Sequence, residues 1–191
     1  MEEIKLIIDW LNSIDIFLFH IINDCGFNEM DSTMLFISNK LSWVPLYLLL
    51  LYILYKKHAK YFIWILMSLV LLIFLADFGS VHLFKNVFER LRPCHQPEVI
   101  EHMRLVKNCG GLYSFISSHA ANSFAIAFFI SLLFKNLKGF IFLFSWAVII
   151  GFSRIYLGVH FPFDVVGGMF WGLIVSLLVY RLLKIKLHEA V

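Results

Sequence analysis

The polarity of the chain comes in long blocks. Apolar runs at residues 33–55, 61–84, 120–134, 139–157 and 163–183 are separated by short charged breaks and by one long polar stretch, residues 85–117. A bilayer core takes about 20 residues of helix. Backbone polar groups in lipid must be satisfied within the segment, so each run predicts a transmembrane helix. Residues 4–22 are apolar but interrupted by Asp9, Asn12 and Asp15. They predict either a sixth span or an amphipathic helix lying in the interface. The implied fold class is all-α, a polytopic transmembrane bundle of five clear spans plus the N-terminal helix. With no linker, internal repeat or low-complexity tract, residues 1–191 read as a single membrane-embedded domain.

Composition agrees with this pattern. The chain is 61% apolar and 15% charged, against about 45–50% and about 25% in soluble domains. The N-terminal sequence MEEIKLIIDWLNSIDIF lacks the basic start and small-residue cleavage site of a signal peptide, so the first span is expected to act as the insertion signal. By alternation, Lys56, Lys57, Lys60, Lys135, Lys138, Arg181, Lys184 and Lys186 fall on one side. Short Lys/Arg-rich loops stay in the cytoplasm. Residues 85–117 and the break around His160 are then expected to face the periplasm, the exterior or an organelle lumen. A bacterial inner membrane suits this reading. The net charge of +3 is spread without a basic face interleaved with aromatics, which excludes nucleic acid as a partner. No obligate protein partner is evident. The three cysteines form no CxxC pair, which argues against a zinc knuckle. Cys94 and Cys109 share the polar stretch, either as a disulfide of an oxidising compartment or as two free thiols.

Three polar clusters interrupt the apolar pattern, all on the outward side: Lys85 to Arg92-Pro93, then Ser117-Ser118-His119, then Ser153-Arg154 with His160 and Asp164. Any one of them has an ordinary explanation. A single histidine at a helix end is usually structural, and a Lys or Arg near a span end usually snorkels to the headgroups. Their joint occurrence on one side is what points to chemistry. Lys85, Arg92 and Arg154 would repel one another without an anion, and the guanidinium fork suits phosphate oxygens. Ser117 and Ser118 open a helix, whose free N–H groups also favour an anion. Asp164 follows His160 by four residues, so on a helix the two would share a face and the carboxylate would fix the imidazole tautomer. His160 is then a nucleophile, and His119 an acid for the leaving oxygen. Asp77 stands inside a span, where acids are functional candidates; pairing with His82 or with a neighbouring helix is the structural alternative.

In these residues the chain resembles the type 2 phosphatidic acid phosphatase superfamily, whose motifs are K-x6-RP, PSGH and SR-x5-H-x3-D. Lys85 is followed by six residues and Arg92-Pro93; Ser153-Arg154 is followed by five residues, His160, three residues and Asp164. The second motif reads Ile116-Ser117-Ser118-His119, with Ile for Pro and Ser for Gly. The resemblance covers about residues 15–183. It implies a helical bundle with its site at the membrane–water boundary and a phosphohistidine mechanism. His160, His119 and Asp164 would be catalytic, with Lys85, Arg92, Ser117, Ser118 and Arg154 around the phosphate. It implies no metal and no cofactor. His95, Glu98, Glu101, His102 and Arg104 lie in the loop of residues 94–116, but their spacing fits no strong ligand motif, and headgroup contact or a solvated loop is the simpler reading.

The expected activity is hydrolysis of a terminal phosphate from a membrane lipid. Lipid A and undecaprenyl diphosphate stand level as substrates, ahead of phosphatidylglycerol phosphate. A non-hydrolytic protein that binds or transports anionic lipids on the same scaffold is the alternative. The His160–Asp164 pair argues against it, since binding needs only the cations. Haloperoxidase chemistry with bound vanadate suits a short membrane-embedded chain poorly.

Overall fold

The computed structural model describes residues 2–189. The helices that build the bundle are α1 (Glu2–Asp24), α2 (Asn28–Ser38), α3 (Val44–His58), α4 (Phe62–Gly79), α5 (Ser118–Phe134), α6 (Leu137–Tyr156) and α7 (Pro162–Glu189). Among the described residues, four helical stretches are long and apolar enough to cross a membrane: Glu2–Asp24, Lys40–Phe88, Leu137–Tyr156 and Pro162–Leu187. Ser118–Phe134 is a shorter apolar helix. The bundle is the all-helical membrane architecture that the apolar runs imply.

Lys40–Phe88 turns back on itself at Ala59–Tyr61. Lys57, at the end of α3, reaches the Phe134 carbonyl at 3.4 Å, and Trp64, at the start of α4, lies 5.5 Å from the Lys186 ammonium. At its other end the hairpin approaches the start of α5, where Lys85 bonds Ser118. Lys57 and Lys186, two of the residues grouped by the alternation argument, therefore lie at the end of the bundle away from His160.

One segment differs from the sequence expectation. The run at 33–55 is not one helix; it breaks at Asn39, whose side chain accepts from the Leu41 N–H at 3.1 Å and opens a single tight turn, Lys40–Trp43. An Asn side chain that bonds its own backbone two residues on offers the chain an alternative to helix. Residues 4–22 lie within one continuous helix of 23 residues. Its buried side chains, Asp15, Phe19 and Asn23, recur every four residues along one face. Asp15 meets the Phe163 amide at the start of α7, and Asn23 meets the Tyr156 carbonyl at the end of α6. This face covers about 12 Å of helix and straddles the break that carries His160.

The core is the packing of α5 against α7. Gly168 and Gly172, one turn apart, let the backbones approach as small-residue seams do in membranes. A Cβ on Gly168 would stand 2.7 Å from the Ser117 carbonyl and 2.9 Å from the Ala120 Cβ; on Gly172 it would stand 2.7 Å from the Ala121 carbonyl. These neighbours are backbone or backbone-fixed and cannot swing aside. Gly168→Val is expected to destabilise by about 1–3 kcal/mol or more, read as a lower unfolding temperature in detergent. Activity should fall with it, because Ser117 moves with the seam.

Candidate active site

The ends of α4, α5, α6 and α7 converge where the three polar clusters meet. α4 does not stop at Gly79 but widens through one π-type turn, Ser80–Lys85. Such turns re-aim side chains, and this one carries Lys85 to the start of α5. The Lys85 ammonium donates to the Ser118 hydroxyl at 2.9 Å, and the Ser80 hydroxyl lies 2.7 Å from the same oxygen. Ser117 is the N-cap of α5, fully buried, with its side chain accepting from the Ala120 N–H. Its own N–H donates to the Asp164 carbonyl at 2.9 Å. The second and third clusters are therefore joined through backbone.

Arg92 lies beyond the membrane helices, held by the loop that follows it. Its Nη1 donates to the Cys109 carbonyl at 2.6 Å and its Nε to the Tyr113 carbonyl at 3.2 Å. Cys94 and Cys109 form a disulfide across that loop, the first of the two alternatives open to them. Their sulfurs and the His95 ring nitrogen cluster together, but the sulfurs are bonded to each other. Arg104 anchors the loop elsewhere, against Asp31 of α2 at 3.1 Å, and takes no place at the site.

Arg154 is almost wholly buried at the end of α6. One terminal nitrogen donates to Ser38, while its Nε is buried with no hydrogen-bond partner. A charged donor in that state is what an oxyanion satisfies.

His160 is 1% exposed and Asp164 is fully buried, with the imidazole Nδ1 3.4 Å from the carboxylate Oδ2. The pair does not share a helix face as the spacing suggested, because His160 precedes the first turn of α7. Asp164 instead reaches back: its Oδ2 accepts from the Phe161 N–H at 2.8 Å, the reach of a capping box. Burial, then the charges of Arg154, Arg92 and Lys85, hold His160 well below the ordinary imidazole value. It is neutral at physiological pH, with Nε2 as its unprotonated nitrogen when Nδ1–H faces Asp164. His119 lies within the fields of Arg154, Lys40 and Lys107.

His119 also lines a cavity of about 380 Å³ that runs away from the site between α3 and α4. Its walls are apolar, including Leu50, Leu54, Val70, Ile73 and Ile126, with Lys40 and Ser38 beside His119. Val70 and Ile73 line it and are themselves exposed, so the cavity is not sealed between α3 and α4. Asp77, on the same stretch of α4, accepts from Asn122 of α5 at 3.0 Å, while His82 stacks on Phe78. Of the two pairings weighed for Asp77, the neighbouring helix is the one made.

The family model of the PAP2 superfamily matches residues 62–187. The chain belongs to the PAP2 superfamily. Among PAP2 relatives, it is 36% identical over 166 residues to the lipid A 4'-phosphatase of Porphyromonas gingivalis, covering 86% of this chain and 70% of that one. It is 34% identical to the lipid A 4'-phosphatase of Bacteroides thetaiotaomicron, covering 86% and 75%. The crystal structure of Aquifex aeolicus LpxE superposes with a TM-score of 0.67 at 28% identity, over 86% of this chain and 93% of that one. These relationships make the chain a membrane-embedded PAP2 phosphate-ester hydrolase.

Two residues at the PAP2 site carry no role in the motif reading. Arg90, inside the six-residue gap of the first motif, donates to Asp164 at 3.0 Å and forms an ion pair with Asp15 at 2.7 Å. Asp15 is fully buried although it interrupts an apolar run. A buried acid in such a run is the available signal, and it calls for a partner.

Proposed function

We propose that the chain removes a terminal phosphate from a lipid, with lipid A the leading substrate, through a phosphohistidine on His160. The observation that carries this reading is the buried, neutral His160 against Asp164, beside the Arg154 Nε that has no partner. The His160 Nε2 lone pair forms a bond to phosphorus as the bond to the lipid oxygen breaks. That oxygen takes its proton from His119, which is charged against the neighbouring cations by the bound phosphate's negative oxygens. A water molecule then attacks phosphorus, giving its proton to His119, and the N–P bond returns its electrons to His160. Lys85, Arg92, Arg154, Ser117 and the Ser118 amide hold the equatorial oxygens as charge builds. Each step is met by side chains of this chain, so no metal or cofactor enters the scheme.

The lipid part of the reading rests on where His119 lies. A leaving oxygen protonated by His119 belongs to a molecule on that side, and the apolar cavity begins there. The identity of the lipid is supported by the two lipid A 4'-phosphatases similar to this chain. An outward-facing site in a bacterial inner membrane is supported by the lysine-rich opposite end and by the Cys94–Cys109 disulfide, a bond of oxidising compartments.

The test is phosphate release by purified protein, beside His160→Ala, from lipid A, undecaprenyl diphosphate, phosphatidylglycerol phosphate and a soluble phosphomonoester. Release from lipid A above the others, lost in the variant, is the expected result. Release from another lipid would reassign the substrate, and binding without release from any would favour the non-hydrolytic alternative. The cavity adds a separate expectation. Ile73→Trp, which narrows it, should raise KM for the lipid about tenfold, the scale of roughly 1.4 kcal/mol of lost apolar binding. Turnover of the soluble phosphomonoester should not change, and equal loss on both substrates would remove the cavity from the lipid path.

A further inference from the structure

Two carboxylates, Asp15 and Asp164, are fully buried within reach of one guanidinium. Arg90 Nη1 stands 2.7 Å from Asp15 Oδ2 and 3.0 Å from Asp164 Oδ1. Its Nη2 donates to the Asn12 side chain at 3.0 Å, and its guanidinium carbon lies 4.2 Å over the Phe161 ring. Arg90 is therefore held on three sides: by α1 through Asp15 and Asn12, by the first turn of α7 through Asp164, and by the residue next to His160. Asp15 is equally committed, since its other oxygen accepts from the Phe163 N–H at 2.8 Å.

The division of labour at Asp164 follows from these contacts. Arg90 occupies Oδ1, while Oδ2 faces His160 and the Phe161 N–H. A buried carboxylate free to rotate about its last torsion could present either oxygen to the imidazole or neither. With Oδ1 tied to a fixed guanidinium, Oδ2 stays on His160. A guanidinium between two buried carboxylates also offsets their repulsion, which otherwise would favour a protonated acid.

We propose that Arg90 and Asp15 are positioning residues of the phosphatase: Asp15 of α1 fixes Arg90, and Arg90 fixes the Asp164 carboxylate that orients His160. This rests on the proposed roles of His160 and Asp164. It gives α1 a function in catalysis beyond anchoring and places a working residue inside the unassigned gap between Lys85 and Arg92. Arg90 touches neither phosphate nor imidazole in this scheme; it acts through Asp164.

The experiment is steady-state kinetics of the full chain in detergent on whichever phosphate ester the wild type hydrolyses and His160→Ala does not. Arg90→Gln, Arg90→Lys, Asp15→Asn and the Arg90→Gln/Asp15→Asn double variant are compared with it. Arg90→Gln is expected to lower kcat about 10- to 100-fold, the scale on which outer groups act on a carboxylate–histidine pair, with KM nearly unchanged. Arg90→Lys should restore part of the loss. The double variant should be little worse than Arg90→Gln alone, because both changes break one chain of contacts. The acid limb of kcat/KM should move to higher pH in Arg90→Gln. The charged and titratable groups facing His160 are Asp164, Arg154, Arg92, Lys85 and His119, and removing a cation from beside Asp164 leaves the imidazolium easier to form. A folded Arg90→Gln with wild-type kcat would overturn the inference while leaving His160 as the nucleophile. A rise in KM alone would overturn it too, moving Arg90 to substrate binding. If Arg90→Gln fails to fold, Asp15→Asn decides: a lower kcat at an unchanged unfolding temperature supports the positioning role, and wild-type kcat removes it. No turnover by the wild type on any ester would overturn the His160 reading and this one together.

Discussion

His160→Ala should lower phosphate release by at least about 10⁴-fold, the scale on which loss of a covalent nucleophile acts. Among the described residues, neither His119 nor His95 meets the same conditions. His119 lies on the cavity side, where the leaving group departs. His95 belongs to the disulfide-bonded loop, beside Cys94. The loss should come with retained folding, because alanine removes a ring bonded to Asp164 and the Ser114 backbone and leaves Asp164 its bonds to Arg90 and the Phe161 amide. Single-turnover experiments sharpen the test. Wild-type protein quenched in mid-reaction should carry acid-labile, base-stable phosphate, and the variant none. Label on a different residue would move the nucleophile. Release without any covalent label, still lost in the variant, would make His160 a base for direct attack by water.

The second large effect is expected at Arg154. Its guanidinium is buried, one nitrogen bonded to Ser38 and Nε without a partner. Arg154→Ala should lower kcat/KM by about 10²–10³-fold, as removal of a single oxyanion donor does. Arg154→Lys should recover little, since an ammonium cannot supply the planar fork or keep the Ser38 contact while reaching phosphate. The pH profile adds a sign. After burial itself, Arg154 is the leading charge holding His160 below its ordinary value. In the wild type the neutral nucleophile persists as pH falls through about 6.5, and the acid limb lies lower. In Arg154→Ala that limb should rise toward the ordinary imidazole value. The substrate's own ionisation is common to both proteins and cancels in the comparison. A variant with the same limb as the wild type would separate Arg154 from His160.

Most of the fold was legible because membrane helices are written in unbroken apolar runs, and the motif residues were legible because they are charges where charges are costly. What escaped was geometry carried by short-range backbone chemistry. Asn39 breaks an apolar run through a bond to Leu41 N–H that hydropathy does not register. The spacing of His160 and Asp164 suggested a shared helix face, yet the contact arises from a reach-back across the start of α7. Asp15 and Arg90 are far apart in the chain, and each has an ordinary explanation alone. Only folding of α1 across the break before α7 brings them to Asp164. The Ile116 and Ser118 departures from the usual second motif also find their place. Ile116 packs fully buried against Gly167, and the Ser118 hydroxyl joins Lys85 to Ser80.

The unsealed cavity between α3 and α4 changes what concentration means for this enzyme. Substrate that arrives past Val70 and Ile73 comes from the plane of the bilayer, a two-dimensional solution in which abundance is a mole fraction. Adding inert lipid or detergent dilutes that solution even when the molarity of substrate in the tube is unchanged. For a lipid that enters by this route, saturation is governed by surface composition, by the share of phosphorylated lipid in the membrane rather than by the total in the sample.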